Sequence, residues 1–87
     1  MNESKIVDTL KRVDTRGLLL PMAVIYEKPK DFPENYVVRI WDTTKPTNIV
    51  YVSDDLEKCR KEINELGLML RMGAENADDP CIVEAWI

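Results

Sequence analysis

The chain has 87 residues, with 12 basic and 16 acidic side chains, a formal net charge of −4 and a 45% share of hydrophobic residues. That length makes a single domain, and that balance describes a folded chain, not a disordered one. No basic stripe appears, so sequence-independent phosphate binding is not expected, and the apolar runs fall far short of the roughly 20 residues of a membrane helix.

The charge is uneven. Residues 1–52 hold eight basic and seven acidic side chains, whereas residues 53–87 hold four and nine. A chain this short buries only about 60–65% of its unfolded surface, so its stability margin is thin and oligomerisation is a common remedy. Two cysteines, Cys59 and Cys81, do not make a disulfide framework. The start of the chain leads into an amphipathic pattern and not into an apolar leader, so a reducing cytoplasm is the expected compartment. There both cysteines are most simply small buried hydrophobes.

In chain order, residues 3–13 place Ile6, Leu10 and Val13 on one helical face, with Val7 beside them and Asn2 able to cap. The pattern predicts a first helix, ended by Asp14-Thr15-Arg16-Gly17. Leu18-Leu19-Leu20-Pro21 is an apolar approach to a strand over 22–27. A loop with two prolines, residues 28–35, leads to the clearest signal in the chain. Tyr36 to Trp41 alternates with a period of two in β-branched and aromatic residues, and Ile49 to Val52 is a second run of that type. Between them Asp42 to Asn48 reads as a polar connection, so the two strands are expected to be antiparallel neighbours.

Ser53-Asp54-Asp55-Leu56-Glu57 then opens a helix, with Ser53 or Asp54 as N-cap and Glu57 completing a capping box. Its apolar stripe is Leu56, Cys59, Ile63 and Leu66, and Lys58, Arg60, Lys61, Glu62 and Glu65 fall on the other side. Gly67 followed by Leu68 predicts a left-handed cap, with a strand over 68–72 and continuation of the helix as the rival reading. Residues 73–80 read as a loop, and 81–87 as the last strand. The expected fold is a single small α+β domain over residues 1–87, in the order α-β-β-β-α-β-β, with a mainly antiparallel sheet and the second helix packed on one face.

The alternation suggests which faces are buried. If Val38, Ile40, Val50 and Val52 face the helix, then Val37, Arg39, Trp41, Ile49 and Tyr51 face away. On the last strand Cys81, Val83, Ala85 and Ile87 make the smoother apolar set, which leaves Ile82, Glu84 and Trp86 on the far face. That face is too apolar to stay bare on a small monomer. The N-terminal helix, a second subunit or a foreign partner could cover it, and Trp, Tyr and Arg are favoured at interfaces.

The inventory for catalysis is thin. Without histidine the commonest general base and metal ligand is missing. Cys59 and Cys81 lack a base to activate them. Asp54-Asp55 is explained by a helix start and Asp78-Asp79 by a turn before Pro80, and no spacing matches a Ca²⁺ loop. No cofactor and no metal is expected. Arg39, Trp41 and Tyr51 could stack single-stranded bases, but no RNA-recognition signature accompanies them.

Ala23 to Ile63 reads as three strands followed by a helix opened by Ser53-Asp54-Asp55-Leu56-Glu57. In that layout it resembles HicB-type antitoxins, whose domains run strand-strand-strand-helix-strand with an acidic helix start. Thr44-Lys45-Pro46-Thr47 stands where that family commonly has a Pro-Gly-Cys-like turn, and the N-terminal helix is an addition. The resemblance covers about half of the chain, as pattern, and implies as an alternative a regulator of a toxin or of nucleic acid. The leading expectation is a non-enzymatic domain that associates with itself, as a homodimer, or with another protein. The candidate interface residues are Val37, Arg39, Trp41, Tyr51, Glu84 and Trp86.

Overall fold

The computed structural model describes residues 5–72 and 79–87. The elements in order are β1 (Lys5–Val7), a 3₁₀ turn (Leu10–Arg12), β2 (Pro21–Glu27), β3 (Tyr36–Asp42), β4 (Lys45–Ser53), α1 (Leu56–Leu66), β5 (Arg71–Met72) and β6 (Ile82–Trp86). They form an α+β domain with a six-stranded sheet in the order β1-β4-β3-β2-β6-β5. All pairings are antiparallel except that of β1 with β4. The α+β class and the mainly antiparallel sheet agree with the sequence; the element order does not.

The first helix is the main correction. Residues 5–7 form a strand that runs parallel to β4, with Ile6 beside Val50 and Val7 beside Tyr51. Only a 3₁₀ turn follows it, capped by Thr9, whose hydroxyl accepts from Lys11 N at 3.3 Å. The apolar spacing fits either state, and β-branched Ile6, Val7 and Thr9 are weak helix formers. So short a helix also recovers little of its nucleation cost, whereas β1 gains ladder bonds at once. Tertiary contact completes the choice. The Glu62 carboxylate on α1 accepts from Thr9 Oγ1 at 2.7 Å and from Leu10 N at 2.6 Å, which pins the turn and buries Leu10 fully. The cap expected from Asn2 lies outside the described residues.

The second correction is the β3–β4 connection. It is a two-residue turn, Thr43-Thr44, with Asp42 paired to Lys45 and Thr43 at φ 53°. A seven-residue link would pair even numbers with even, setting Ile40 against Val50. The tight turn pairs even with odd, and a bulge between Arg39 and Trp41 keeps that parity. Val38 therefore lies across from Tyr51, and β4 shows the core the opposite face from the one expected. Ile49 and Tyr51 pack on the core, and Val50 and Val52 lie with Val37 and Arg39 on the far side.

Helix α1 matches the expected stripe. Cys59 and Ile63 are fully buried, with Leu56 and Leu66 packed beside them. The cap is Asp55, not Ser53 or Asp54: its carboxylate accepts from Glu57 N at 2.9 Å, and Ser53 Oγ accepts from Asp55 N at 3.1 Å. At the other end Gly67 adopts φ 105°. Gly67 N donates to Asn64 O at 3.0 Å and Leu68 N to Ile63 O at 3.3 Å, the bond pair of a Schellman cap, with Leu68 folded into the core. A Cβ on Gly67 would meet nothing within 4 Å, so the cost of a side chain there is backbone strain alone. Gly67→Ala is expected to lose about 1–2 kcal/mol in urea titration. Gly17→Ala, at a glycine without positive φ and equally open, should lose nothing measurable; equal losses would refute this account.

The expected strand over 68–72 is shorter, Arg71–Met72, though Leu70 exchanges backbone bonds with Ile87 at 3.0 and 2.9 Å. The expected loop over 73–80 lies mostly outside the described residues. The core is one layer between α1 and the sheet, built from Leu10, Ala23, Ile25, Val38, Ile40, Cys59, Ile63 and Leu68. The 3₁₀ turn packs on this same side, so Leu10–Arg12 do not cover the opposite face.

Candidate functional site

Antiparallel partners share a face, so the register assigns each sheet residue to a side. Ala23, Ile25, Val38 and Ile40 belong to the core beneath α1. Their partners Trp86, Glu84 and Tyr51 therefore lie on the same side. Met22, Val24 and Tyr26 fall on the other side, across from Trp41, Arg39 and Val37. The six candidate residues thus split into two groups of three. Val37, Arg39 and Trp41 are on the helix-free face. Tyr51, Glu84 and Trp86 are on the core face and do not join them.

Glu84 explains why the last strand turns this way. A charged residue was expected to point away from the core, yet its side chain is only 2% exposed. It lies under α1, where Arg60 meets it with the Nε–Nη2 edge of its guanidinium. Arg60 Nε is 3.1 Å from Oε1 and 2.9 Å from Oε2, and Nη2 donates to Oε2 as well. Trp86 Nε1 donates to Oε1 at 3.0 Å, and Arg71 Nε stands 3.6 Å from Oε2. Burial pushes the carboxyl up, but the bonds from Arg60 and Trp86 and the charges of Arg60 and Arg71 outweigh it and hold the group below its ordinary 4.5. Arg60 also pairs with Glu57 one turn earlier on the helix. This is a structural clamp between helix and sheet, with its donors and acceptors already used.

Cys59 sits in the same layer. Burial, with Asp55, Glu62 and Glu84 nearby, pushes its thiol up to about 11, so it stays protonated and a poor nucleophile at neutral pH. Tyr51, half-buried against the core, has its phenol raised first by burial and then by Glu62. Cys81 is half-buried and free as well.

The helix-free face is the part left without a structural cover of its own kind. Among the described residues no helix packs on it. Its centre is apolar, with Val24, Val37 and Val50 buried between longer neighbours. Arg39 crosses it, donating Nη1 to Thr47 O at 2.8 Å. Beside it a cavity of about 160 Å³ is lined by Tyr26, Pro29, Asp31, Val37, Arg39 and Asp79. Burial raises the Tyr26 phenol, Trp41 and Arg39 offset part of that, and Asp79 adds to it. The Trp41 indole N–H is close enough to be felt by Tyr26 yet outside hydrogen-bond geometry, so it is buried with no acceptor among the described residues.

One flank was missed in the sequence. Leu19 is 88% exposed and Leu20 about half. They are tied to the tip of the β3–β4 hairpin, because Leu20 N donates to Asp42 Oδ1 and Thr43 N to Leu20 O, both at 3.0 Å. The two leucines are therefore held exposed beside the hairpin tip. Leu-Leu-Leu before a proline reads as a strand approach, and nothing local says that the approach stays outside the core.

No protein-family model matches the chain, and neither the curated proteins nor the solved structures contain a match. The three-strands-then-helix layout over β2, β3, β4 and α1 is present, and the resemblance to HicB-type antitoxins rests on that layout alone.

Proposed function

We propose that this domain works by protein–protein association, that its partner is a second copy of the same chain, and that the contact surface is the helix-free sheet face. The observation that carries the reading is the one-sided architecture: α1 and the 3₁₀ turn occupy one side of a six-stranded sheet, and the other carries Met22, Tyr26, Val37, Arg39, Trp41 and Val52. Aromatic residues, Met and Arg at the centre of a patch are the composition of an interface core. Arg39 beside Asp31 and Asp79 gives the patch both signs of charge, which suits an isologous contact in which each residue meets its counterpart's neighbour. Tyr51, Glu84 and Trp86 have no part in this contact. They shape it indirectly, by locking α1 to the far side.

Sedimentation equilibrium of the full chain tests the reading. The wild type should associate in a concentration-dependent way. Trp41→Ala should weaken that association by at least about 30-fold, the loss of one hot-spot residue worth about 2 kcal/mol. A wild type that stays monomeric at several hundred micromolar would sink the proposal.

A further inference from the structure

We propose that the outer edge of β1 is a second, separate association site, at which β1 pairs antiparallel with β1 of another copy and joins the two sheets into one. The sheet ends at β1 on one side and at β5 on the other. In a strand, alternate residues direct their N–H and C=O groups to opposite neighbours, so part of β1 turns these groups away from β4, where no further strand follows among the described residues. Among the described residues no strand covers this edge, and Lys5, Ile6, Val7 and Asp8 line an open groove of about 640 Å³, shared with Arg12 and Val13.

The two edges are not equivalent. On β5, Leu70 spends both backbone groups on Ile87, which leaves Arg71 as the residue facing outward. A second copy pairing about that point would set Arg71 against Arg71, and a charged outward residue is a common way of protecting an edge. On β1 the central residue is Ile6, 59% exposed. A twofold axis perpendicular to the sheet must pass between like residues, and centred on Ile6 it sets Ile6 against Ile6 and Lys5 against Val7. No like charges are opposed, and the exposed isoleucine gains an apolar cross-strand partner. The axis also keeps both helices on one side, so the two helix-free faces become continuous. This edge contact does not depend on the face contact proposed above.

Hydrogen exchange of the full chain at low and high concentration tests the proposal, read together with sedimentation. Outward amides of residues 5–7 should gain protection as concentration rises. Ile6→Lys should abolish that gain and halve the assembly mass, with the near-ultraviolet circular dichroism unchanged because residue 6 is exposed. Trp41→Ala should leave the β1 protection intact, which separates the edge from the face. If both contacts form, the wild type is a tetramer and each single variant a dimer. A wild type whose β1 amides exchange at one rate at every concentration overturns the edge pairing, even where Trp41→Ala still dissociates the chain. So does an Ile6→Lys chain that keeps the protection.

Discussion

Replacing Arg60 by methionine is expected to cost about 3–5 kcal/mol, because it strands a carboxylate that is only 2% exposed. The whole domain has a margin of roughly 4–13 kcal/mol at the usual stability per residue, so this one loss removes from about a quarter to all of it. Arg71 at 3.6 Å is too distant to replace the Nε and Nη2 contacts that Arg60 makes. The complementary change, Glu84→Gln, should cost less, about 1–3 kcal/mol, since Arg60 is 32% exposed and keeps Glu57. An Arg60→Met/Glu84→Leu chain should recover most of the loss, because an apolar pair of similar volume has no desolvation to offset. Urea titrations of the wild type, Arg60→Met, Glu84→Leu and the double Arg60→Met/Glu84→Leu close a cycle; additive losses would refute the clamp.

The same pair predicts a pH dependence. Glu84 is held below its ordinary 4.5 in the folded state. Its contribution is therefore complete above that ordinary value and is lost as pH falls through the lowered folded one. Stability of the wild type should be flat from neutral pH down to about 5 and decline below it. In Arg60→Met the sign reverses, since burial without the guanidinium raises the carboxyl, and the variant should gain stability as it is acidified through that range.

The second large effect is expected at Ile40. It is fully buried at the centre of β3, between β2 and β4 and in the same core cluster as Ile63 of α1. Ile40→Ala should cost about 2–5 kcal/mol, from lost transfer energy and from the cavity left behind. For a domain of this size that lowers the thermal midpoint by roughly 10–30 °C. Ile6→Ala removes the same atoms from an exposed edge and should shift a monomer by less than about 0.5 kcal/mol. A scan that finds the two alike would mean that the core is not where the register places it.

What the amino-acid sequence determined by itself is what local chemistry can decide. The period of two over Tyr36 to Trp41, the acidic start and apolar stripe of α1, and the glycine that ends it all act within a few residues, and each is found where the pattern put it. The Schellman cap at Gly67 needs only Gly, Leu68 and the preceding turn. Tertiary structure decided three things that local pattern leaves degenerate. Ile6, Leu10 and Val13 fit a helix or a strand and turn equally well; β4 beside residues 5–7, and Glu62 reaching back to Thr9, chose the second. The face shown by β4 depends on one count, the length of the turn before it, because a single-residue change inverts every side chain that follows. The placement of Glu84 depends on Arg60, 24 positions away in sequence, whose charge makes an interior position tolerable that hydropathy alone forbids. The divided aromatic patch follows from these last two: each strand is legible as a strand, but which side is the inside belongs to the pair, and a pair is not a local property.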